Sequence, residues 1–223
     1  MNVNREKPSR RAVTLLTTVG AVLVMTAPLA AQQGAIAPGT FLGAVLVSDD
    51  APAASSFYEG LFGWDMERAD DGGYAVRHKG QMIAGISPLT ESSEDVEESF
   101  WLVGLTVDDI DDALQSASKS KAKIYEEVEQ VSEYGRFAVI ADRQGAPFLL
   151  IEPGIKPLGS GRDHGSWVWA ELWTNDVEDA AAFYAKVIGV AHDTVDRGGQ
   201  DYHVFISQQK PRSGIIDIPE KLE

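Results

Sequence analysis

The sequence predicts an α+β fold of repeated βαβββ units. The first observation is a set of residues that recurs at an offset of 126 positions: Asp50, Phe57-Tyr58 and Gly63 return as Asp176, Phe183-Tyr184 and Gly189. The second is a shorter match at an offset of 59, where 47–50 resembles 106–109. Such self-similarity indicates a repeat, so we define units one, two and three in chain order.

Each unit is predicted to open with a strand that leads into a helix. The strands lie at 41–48, 101–107 and 167–174, and the helices at about 51–63, 109–120 and 177–189, where apolar residues recur every three or four positions. An aspartate starts each helix, because its carboxylate can accept hydrogen bonds from free backbone N–H groups there. Gly63 and Gly189 stand where a helix is expected to end in a left-handed residue.

Two or three further strands are predicted to close each unit. They lie at 74–78 and 82–87 in unit one, at 123–127, 136–141 and 146–152 in unit two, and at 202–208 and 214–218 in unit three. The segment 142–145, with aspartate first and glycine last, is a hairpin turn signal. Residues 154–166 are rich in Gly, Pro and Ser, which is typical of a linker.

The first 31 residues have the three parts of an export signal peptide. Four basic residues precede an uncharged stretch at 12–25, and small residues at 26–31 suit cleavage after Ala31. We therefore expect a protein that is exported to the periplasm or the extracellular space, with an uncleaved N-terminal anchor as the alternative. Ser9-Arg10-Arg11 resembles the start of a twin-arginine signal, so the twin-arginine and general export routes both stay open.

The predicted organisation has four parts. They are a signal peptide at 1–31, a complete domain of two units at 40–153, a linker at 154–166 and a partial second domain of one unit at 167–223. Unit three has no fourth unit beside it, so its apolar face, with tryptophans at 167, 169 and 173, would lie in water. We expect unit three to meet a second copy of itself in a homodimer, or the gene to be truncated, and 40–153 to fold alone.

The charge of the chain limits its partners. The formal net charge is −15, and the first 31 residues contribute +3, so the remainder carries −18. A body this acidic repels phosphate backbones and anionic lipid surfaces, which argues against nucleic acid and, after signal cleavage, membranes as partners. The chain has no cysteine, so it has no disulfide, no thiolate metal ligand and no cysteine nucleophile.

Together these features resemble the vicinal oxygen chelate superfamily, which includes glyoxalase I, bleomycin-resistance proteins and extradiol dioxygenases. The resemblance covers about 40–223 and rests on the βαβββ units, the helix with Phe57-Tyr58, and Ala-Asp-Arg-Gln-Gly-Ala at 141–146. The strand segment 169–174 resembles the corresponding segment of a two-domain, glyoxalase-like subfamily in particular. The resemblance implies that two units pair into a sheet curved around a cleft, where some members bind a metal.

The resemblance also implies where metal ligands would stand, and these positions carry no donor. They are Gly43, Leu102, Leu149 and Trp169. Glu152 lies an odd number of residues after Leu149. Because side chains alternate along a strand, it should face the opposite side. No histidine falls on a ligand position, and the acidic stretch 91–98 lacks the spacing of a Ca²⁺ loop. We therefore expect no metal and no other cofactor.

Trp169, Glu171 and Trp173 alternate along one predicted strand and should share a face. A carboxylate between two indoles could bind a cation or a hydrogen-bond donor, or act as a general base if burial raised its pKa. In the alternative, both tryptophans belong to the core and Glu171 pairs with a local donor. With Leu102 and Leu149 as apolar walls, these residues predict a site for a small apolar or cationic molecule. No catalytic residue is predicted.

Two functions follow as alternatives. The first is an exported, metal-free binding protein for a small molecule, similar to glyoxalase and bleomycin-resistance proteins. The second is a metal-dependent lyase or dioxygenase of the same superfamily with unfamiliar ligands. Tightly bound metal would distinguish the two, because a catalytic ion needs several protein donors.

Overall fold

The structure is a computed structural model that describes residues 36–89, 99–125, 128–131, 133–156, 158–159, 163–199 and 201–218. The predicted signal peptide and the acidic stretch 91–98 lie outside the described residues. Within them, the predicted α+β fold of three βαβββ units is confirmed. No described helix is both long and apolar enough to cross a membrane.

Each unit begins with a strand and a helix and continues with further strands, and unit two has one strand more than the other two. Unit one contains β1 (Phe41–Ser48), α1 (Ala51–Phe62), β2 (Asp65–Arg68), β3 (Tyr74–His78) and β4 (Gln81–Pro88). Unit two contains β5 (Phe100–Thr106), α2 (Ile110–Lys119), β6 (Lys123–Ile124), β7 (Glu129–Val131), β8 (Gly135–Ala141) and β9 (Pro147–Pro153). Unit three contains β10 (Glu171–Thr174), α3 (Val177–Ile188), β11 (Ala191–Asp196), β12 (Asp201–Ser207) and β13 (Lys210–Asp217).

The predicted caps set the ends of the helices. The side chains of Asp50, Asp109 and Asp176 each accept a hydrogen bond of 2.9 Å from the backbone N–H three residues later. Each bond satisfies a donor that the first turn of the helix leaves free. Gly63 and Gly189 end α1 and α3 in the left-handed region, where glycine meets no Cβ clash.

Units one and two share one nine-stranded sheet. Its order is β2-β3-β4-β1-β5-β9-β8-β6, with β7 paired to β8. The first strands of the two units, β1 and β5, pair antiparallel, whereas within each unit the first strand pairs in parallel with the last. Unit three repeats this order in a separate sheet, β10-β13-β12-β11. Among the described residues, β10 therefore has no strand on its other edge.

The nine-stranded sheet has a helix face and, opposite to it, what we call the cleft face. Phe148 and Leu150 of β9 lie in the same buried cluster as Ile110 of α2, so they are on the helix face. Leu149 and Ile151, which alternate with them, lie in a separate apolar cluster on the cleft face.

Unit three packs on the helix face of unit two and is part of the same core. We call this buried cluster the shared core; its largest members are Leu105, Ile110, Ile140, Phe148, Leu150, Phe183, Tyr184, Val187, Ile188, Phe205 and Ile215. The hairpin turn at 142–145 adds polar contacts to unit three. Asp142 accepts a hydrogen bond from the buried Tyr184 hydroxyl (3.2 Å), and Arg143 forms an ion pair with Asp179 (2.6 Å).

Several predicted strand assignments need correction, and one of the differences is β7, an additional strand in unit two. The first strand of unit three begins at Glu171 rather than at 167, because Trp167 packs in unit one and donates a hydrogen bond of 2.8 Å to the Ile83 carbonyl oxygen. The rings of Trp64 and Trp101 lie beside it, so Trp167 is not part of an exposed patch on unit three. β2 and β11 are additional strands; both are polar edge strands, which lack the apolar alternation that reveals a half-buried strand.

Candidate functional site

The cleft face of the nine-stranded sheet is filled by apolar side chains. Leu102 and Leu149, two of the predicted wall residues, meet there in one cluster and are only 1% and 2% exposed. Tyr134 and Leu158 pack into the same cluster. A ligand could reach the two leucines only if these side chains moved, because protein interiors are close-packed.

A smaller recess remains on unit one. Its lining includes Val45, Tyr74, Arg77, Met82 and Tyr134. Arg77 donates hydrogen bonds to Glu67 (2.9 Å) and to the Tyr134 hydroxyl (3.3 Å). Burial lowers the pKa of Arg77, but these two hydrogen bonds outweigh it, and the pKa lies above its ordinary value. The guanidinium is therefore charged and already engaged.

The family's metal positions do not fit a metal in this backbone. Gly43 adopts a φ of 86°, and a Cβ added there would lie 2.8 Å from the Ile83 carbonyl oxygen. A side-chain donor at this position would therefore displace the neighbouring strand. Leu102 and Leu149 have no donor atom, and the indole N–H of Trp169 is a donor of hydrogen bonds rather than a metal ligand.

Glu152 lies on the helix face, as its strand phase predicts. Its Oε2 accepts hydrogen bonds from the backbone N–H of Ile110 (2.9 Å), at the start of α2, and from Arg136 (3.1 Å). Arg136 also bonds both oxygens of Asp111. This carboxylate therefore stabilises the N-terminus of α2 and is directed away from the cleft face.

The histidines form one close pair. Nε2 of His192 and Nδ1 of His203 are 2.9 Å apart, and the two rings are stacked with their centroids 5.1 Å apart. Within the described ranges, however, no group of three or more His, Cys, Asp or Glu side chains is arranged to hold a metal ion.

The sheet of unit three carries a different arrangement, which we call the aromatic–carboxylate chain: Trp169, Tyr202, Glu171 and Trp173. Trp169 donates its indole N–H to the Tyr202 hydroxyl (2.9 Å), and that hydroxyl donates to Glu171 Oε2 (2.6 Å). Trp173 donates to the other oxygen, Oε1, at 3.0 Å. Glu171 therefore links both predicted tryptophans, one directly and the other through Tyr202.

The two indoles are not core side chains. Trp169 is 38% exposed and Trp173 is 47% exposed, whereas Tyr202 is buried. The alternative that both tryptophans belong to the core is therefore wrong, although Glu171 does pair with local donors. Hydrogen bonds orient each indole, and a substantial part of its apolar surface stays available.

Within the aromatic–carboxylate chain, the Tyr202 hydroxyl is neutral, and a cation lies beside the Glu171 carboxylate. Burial and the hydrogen bond to Glu171 together raise the pKa of Tyr202 to about 12, so the hydroxyl keeps its proton. Arg197 lies at the rim, 4.0 Å from Glu171 Oε2 and with its guanidinium 4.9 Å from the centre of the Tyr202 ring. Its side chain is 70% exposed, so a competing cation could displace it.

Two residues of this site were not predicted from the sequence: Tyr202, within the aromatic–carboxylate chain, and Arg197, at its rim. Gly214 explains how Tyr202 reaches Glu171: Gly214 pairs with Glu171 on β10 and with Val204 on β12, and a Cβ on Gly214 would collide with the Tyr202 hydroxyl. The only signal in the sequence was the predicted strand at 202–208. The register of three strands was needed to relate Tyr202 to Glu171. The five predicted site residues thus fall in two separate places.

Comparison with known proteins agrees with the fold. Residues 40–150 match the model of the Glyoxalase/Bleomycin resistance protein/Dioxygenase superfamily. The protein CFP32 of Mycobacterium tuberculosis, provisionally named a glyoxylase, is 27% identical over 182 residues, which cover 78% of this chain and 69% of that protein. The anthracycline biosynthesis protein DauV of Streptomyces sp. is 27% identical over 198 residues, which cover 82% of this chain and 72% of DauV.

Two solved structures show the same fold at low sequence identity. The Mn(II)-bound glyoxalase from Novosphingobium aromaticivorans is 15% identical with a TM-score of 0.61, over 82% of this chain and 64% of that one. The 2,2',3-trihydroxybiphenyl 1,2-dioxygenase from Sphingomonas wittichii is 14% identical with a TM-score of 0.58, over 81% of this chain and 68% of that one. This chain thus spans about two thirds of the length of these proteins. Its family match and its three βαβββ units show that the chain belongs to the vicinal oxygen chelate superfamily, the glyoxalase and extradiol dioxygenase group.

Proposed function

We propose that this chain is a metal-free binding protein for a small planar aromatic molecule, and that the aromatic–carboxylate chain of unit three is its site. The observation that carries this proposal is that Trp169 and Trp173 are partly exposed while hydrogen bonds through Tyr202 and Glu171 hold their indoles. Binding to preoriented rings loses less side-chain freedom, so more of the contact energy is available for affinity.

The ligand class follows from the two kinds of surface at the site. The indoles offer apolar area and aromatic faces, which favour a planar ring system. Glu171 lies between them, and among the described residues only the exposed Arg197 balances its charge, so an amino group on the ligand could replace that guanidinium. Similarity to an anthracycline biosynthesis protein supports an aromatic ligand of this type.

A metal-dependent lyase or dioxygenase is the competing function, because the family includes such enzymes. Gly43, Leu102 and Leu149 have no side-chain atom that could bind a metal, which argues against this function. The Ile83 carbonyl, which blocks a side chain at Gly43, argues against it as well. Titration of chelator-treated protein with Zn²⁺, Mn²⁺ and Fe²⁺ in a calorimeter decides between the two. One equivalent of tightly bound metal, lost in Glu171→Ala, would replace our proposal with the enzymatic one.

The proposal includes the setting of the protein. The N-terminal signal supports export to the periplasm or beyond, and the free edge of β10 supports a homodimer through unit three. The acidic charge argues against nucleic acid and membranes as partners.

Fluorescence titration with an anthracycline tests the site. We expect saturable quenching of tryptophan emission, and an affinity that falls about tenfold in Trp169→Leu and in Trp173→Leu, because buried aromatic anchors are worth 1 kcal/mol or more. Val168→Ala is the matched control, since Val168 is adjacent and 73% exposed. Equal affinity in all three variants would overturn the site.

A second pair of probes tests the role of Glu171. An anthracycline with a free amino group should bind more tightly than its N-acetylated form, and Glu171→Gln should abolish that difference. If both forms bind equally well to the unaltered protein, the ligand is recognised as an apolar ring alone.

A further inference from the structure

We propose that a cleft between α2 and α3, at the seam of units two and three, binds a small polyanion that carries a phosphate or sulfate group. The cleft is open to solvent, and its lining includes Lys119, Ser120, Lys121, Arg143, Phe183 and Lys186. Four of these six side chains are cationic, and the lining contains no carboxylate. The chain as a whole has 34 acidic and 19 basic residues, so this concentration of cations runs against its composition.

Most of this positive charge is not neutralised within the described part of the chain. Arg143 is paired with Asp179, but Lys119 donates to the neutral side chain of Gln115 at 2.6 Å. Lys121 and Lys186 form no ion pair with any described residue. Lys186 also borders a neighbouring recess that holds three aspartates, yet it lies farther than 4.0 Å from their oxygens. The three lysines of the cleft therefore have no ion-pair partner among the described residues.

Ser120 provides an independent indication of a missing partner. It is 92% buried, and its hydroxyl makes no hydrogen bond in the structure. Its backbone N–H is engaged with the carbonyls of Ser116 and Ala117 at 3.0 Å, so only the hydroxyl is unsatisfied. An orphaned buried hydroxyl costs free energy unless a partner is supplied. Ser120 is one of the residues that line the cleft, so an anion bound there is a candidate acceptor for this donor.

The end of α2 holds a lysine where the other two units have glycine. Gly63 and Gly189 take the left-handed conformation that ends α1 and α3, and in unit two Lys121 takes it, with a φ of 65°. A glycine would adopt this conformation at lower cost, so the lysine is held beside the cleft despite the backbone. Phe183 forms part of the floor, with the Arg143 guanidinium 5.7 Å from its ring centre.

The site depends on side-chain charge alone. The C-terminal ends of helices carry partial negative charge, so α2 does not assist an anion here. We therefore expect modest affinity with a strong dependence on salt, because the lysines are near the surface and their attraction is screened.

Calorimetric titration of the full chain with inorganic phosphate at low ionic strength tests the proposal. We expect saturable binding at one site, weakened about tenfold or more when Lys121→Gln and Lys186→Gln are combined, as for loss of two charged hydrogen bonds. The combination of Lys156→Gln and Lys210→Gln is the matched control, with the same change of net charge at exposed lysines elsewhere. Equal weakening in both pairs, or no saturable binding to the unaltered protein, would overturn the site.

Two further experiments identify the class of ligand and test the role of Ser120. Phenyl phosphate that binds more tightly than inorganic phosphate would assign the site to an organic phosphate, and equal affinities would assign it to the free ion. Ser120→Ala should weaken phosphate binding about threefold and leave its salt dependence unchanged, because a neutral donor adds no charge. If Ser120→Ala binds phosphate as the unaltered protein does, the hydroxyl is not part of the site and the assignment of the cleft fails.

Discussion

Phe57 and Phe183 occupy equivalent positions of two repeated units, yet Phe57 is 60% exposed and Phe183 is 2% exposed. The difference comes from what covers each helix. α3 lies against α2 and the helix face of unit two, so Phe183 enters the shared core. The outer side of α1 has no such neighbour among the described residues, and Phe57 faces solvent. The repeat therefore supplies the same side chain to two different environments.

This pair predicts a difference in stability. Phe183→Ala should lower the free energy of unfolding by about 3–5 kcal/mol, because it removes a large buried ring and leaves a cavity. Phe57→Ala should change it by less than about 0.5 kcal/mol, as an exposed substitution does. Urea unfolding followed by circular dichroism measures both. Similar losses in the two variants would contradict the burial of Phe183.

Removal of unit three should destabilise the rest of the chain. The fragment 40–153 would expose its side of the shared core, including Leu105, Ile140 and Phe148, which are all buried in the whole chain. The structure thus argues against the sequence-based expectation that this fragment folds alone. We expect it to bind a hydrophobic dye and to show poor amide dispersion in NMR spectra. A well-dispersed, monomeric spectrum would contradict the shared core.

Tyr202 should make stability depend on alkaline pH. Its pKa is raised from 10.0 to about 12, so between these values the folded state keeps a proton that the unfolded chain has lost. Its contribution is complete below pH 10 and is lost as the pH rises towards 12. The pKa of Tyr184 is also raised by burial, so Tyr184 makes a second contribution to stability that is lost at alkaline pH.

The two tyrosines can be separated by substitution. Tyr202→Phe should make the alkaline loss of stability smaller, and the tyrosinate absorbance should lose one late-titrating group. Glu171→Gln should lower the pKa of Tyr202 only in part, because burial is the larger cause of the shift. If the group lost in Tyr202→Phe is one that titrates near pH 10 rather than a late one, the pKa of this hydroxyl is not shifted.

The free edge of β10 should pair with a second copy of the chain. β1 and β5, the first strands of the other two units, pair antiparallel with each other. The carbonyl oxygens of Ala170 and Thr174 accept hydrogen bonds from Gly214 in β13 and from Ile218 directly after it. By alternation, the N–H of Trp173 is therefore directed to the free edge. We expect a dimer in sedimentation analysis that Trp173→Pro abolishes. Trp173→Leu, which keeps the N–H, is the control, and a monomer in the unaltered protein would contradict the pairing.

Export should be visible at the N-terminus of the mature protein. Mass spectrometry of the exported fraction should find a chain that begins near Gln32, because small residues precede it. Replacement of Arg10 and Arg11 by lysine should block export only if the twin-arginine route is used. An intact Met1 on a cytoplasmic protein would contradict the signal peptide.

The sequence by itself determined the repeat and the local elements. The aspartate caps, the glycine ends of α1 and α3 and the face of Glu152 followed from spacings of a few residues, because hydrogen bonds and side-chain directions in a helix or strand involve near neighbours. The same reasoning put Trp169, Glu171 and Trp173 on one face, and Glu171 does accept from Trp173.

Only the tertiary structure decided which surfaces are covered. Trp167 joins unit one, Leu102 and Leu149 are buried in one cluster with Tyr134 and Leu158, and Tyr202 reaches Glu171 across Gly214. These contacts join residues far apart in the chain, and they depend on strand register and on how the sheets and helices pack. A local spacing carries no information about that packing, because the same Phe-Tyr pair is exposed in one unit and buried in another according to what lies against it.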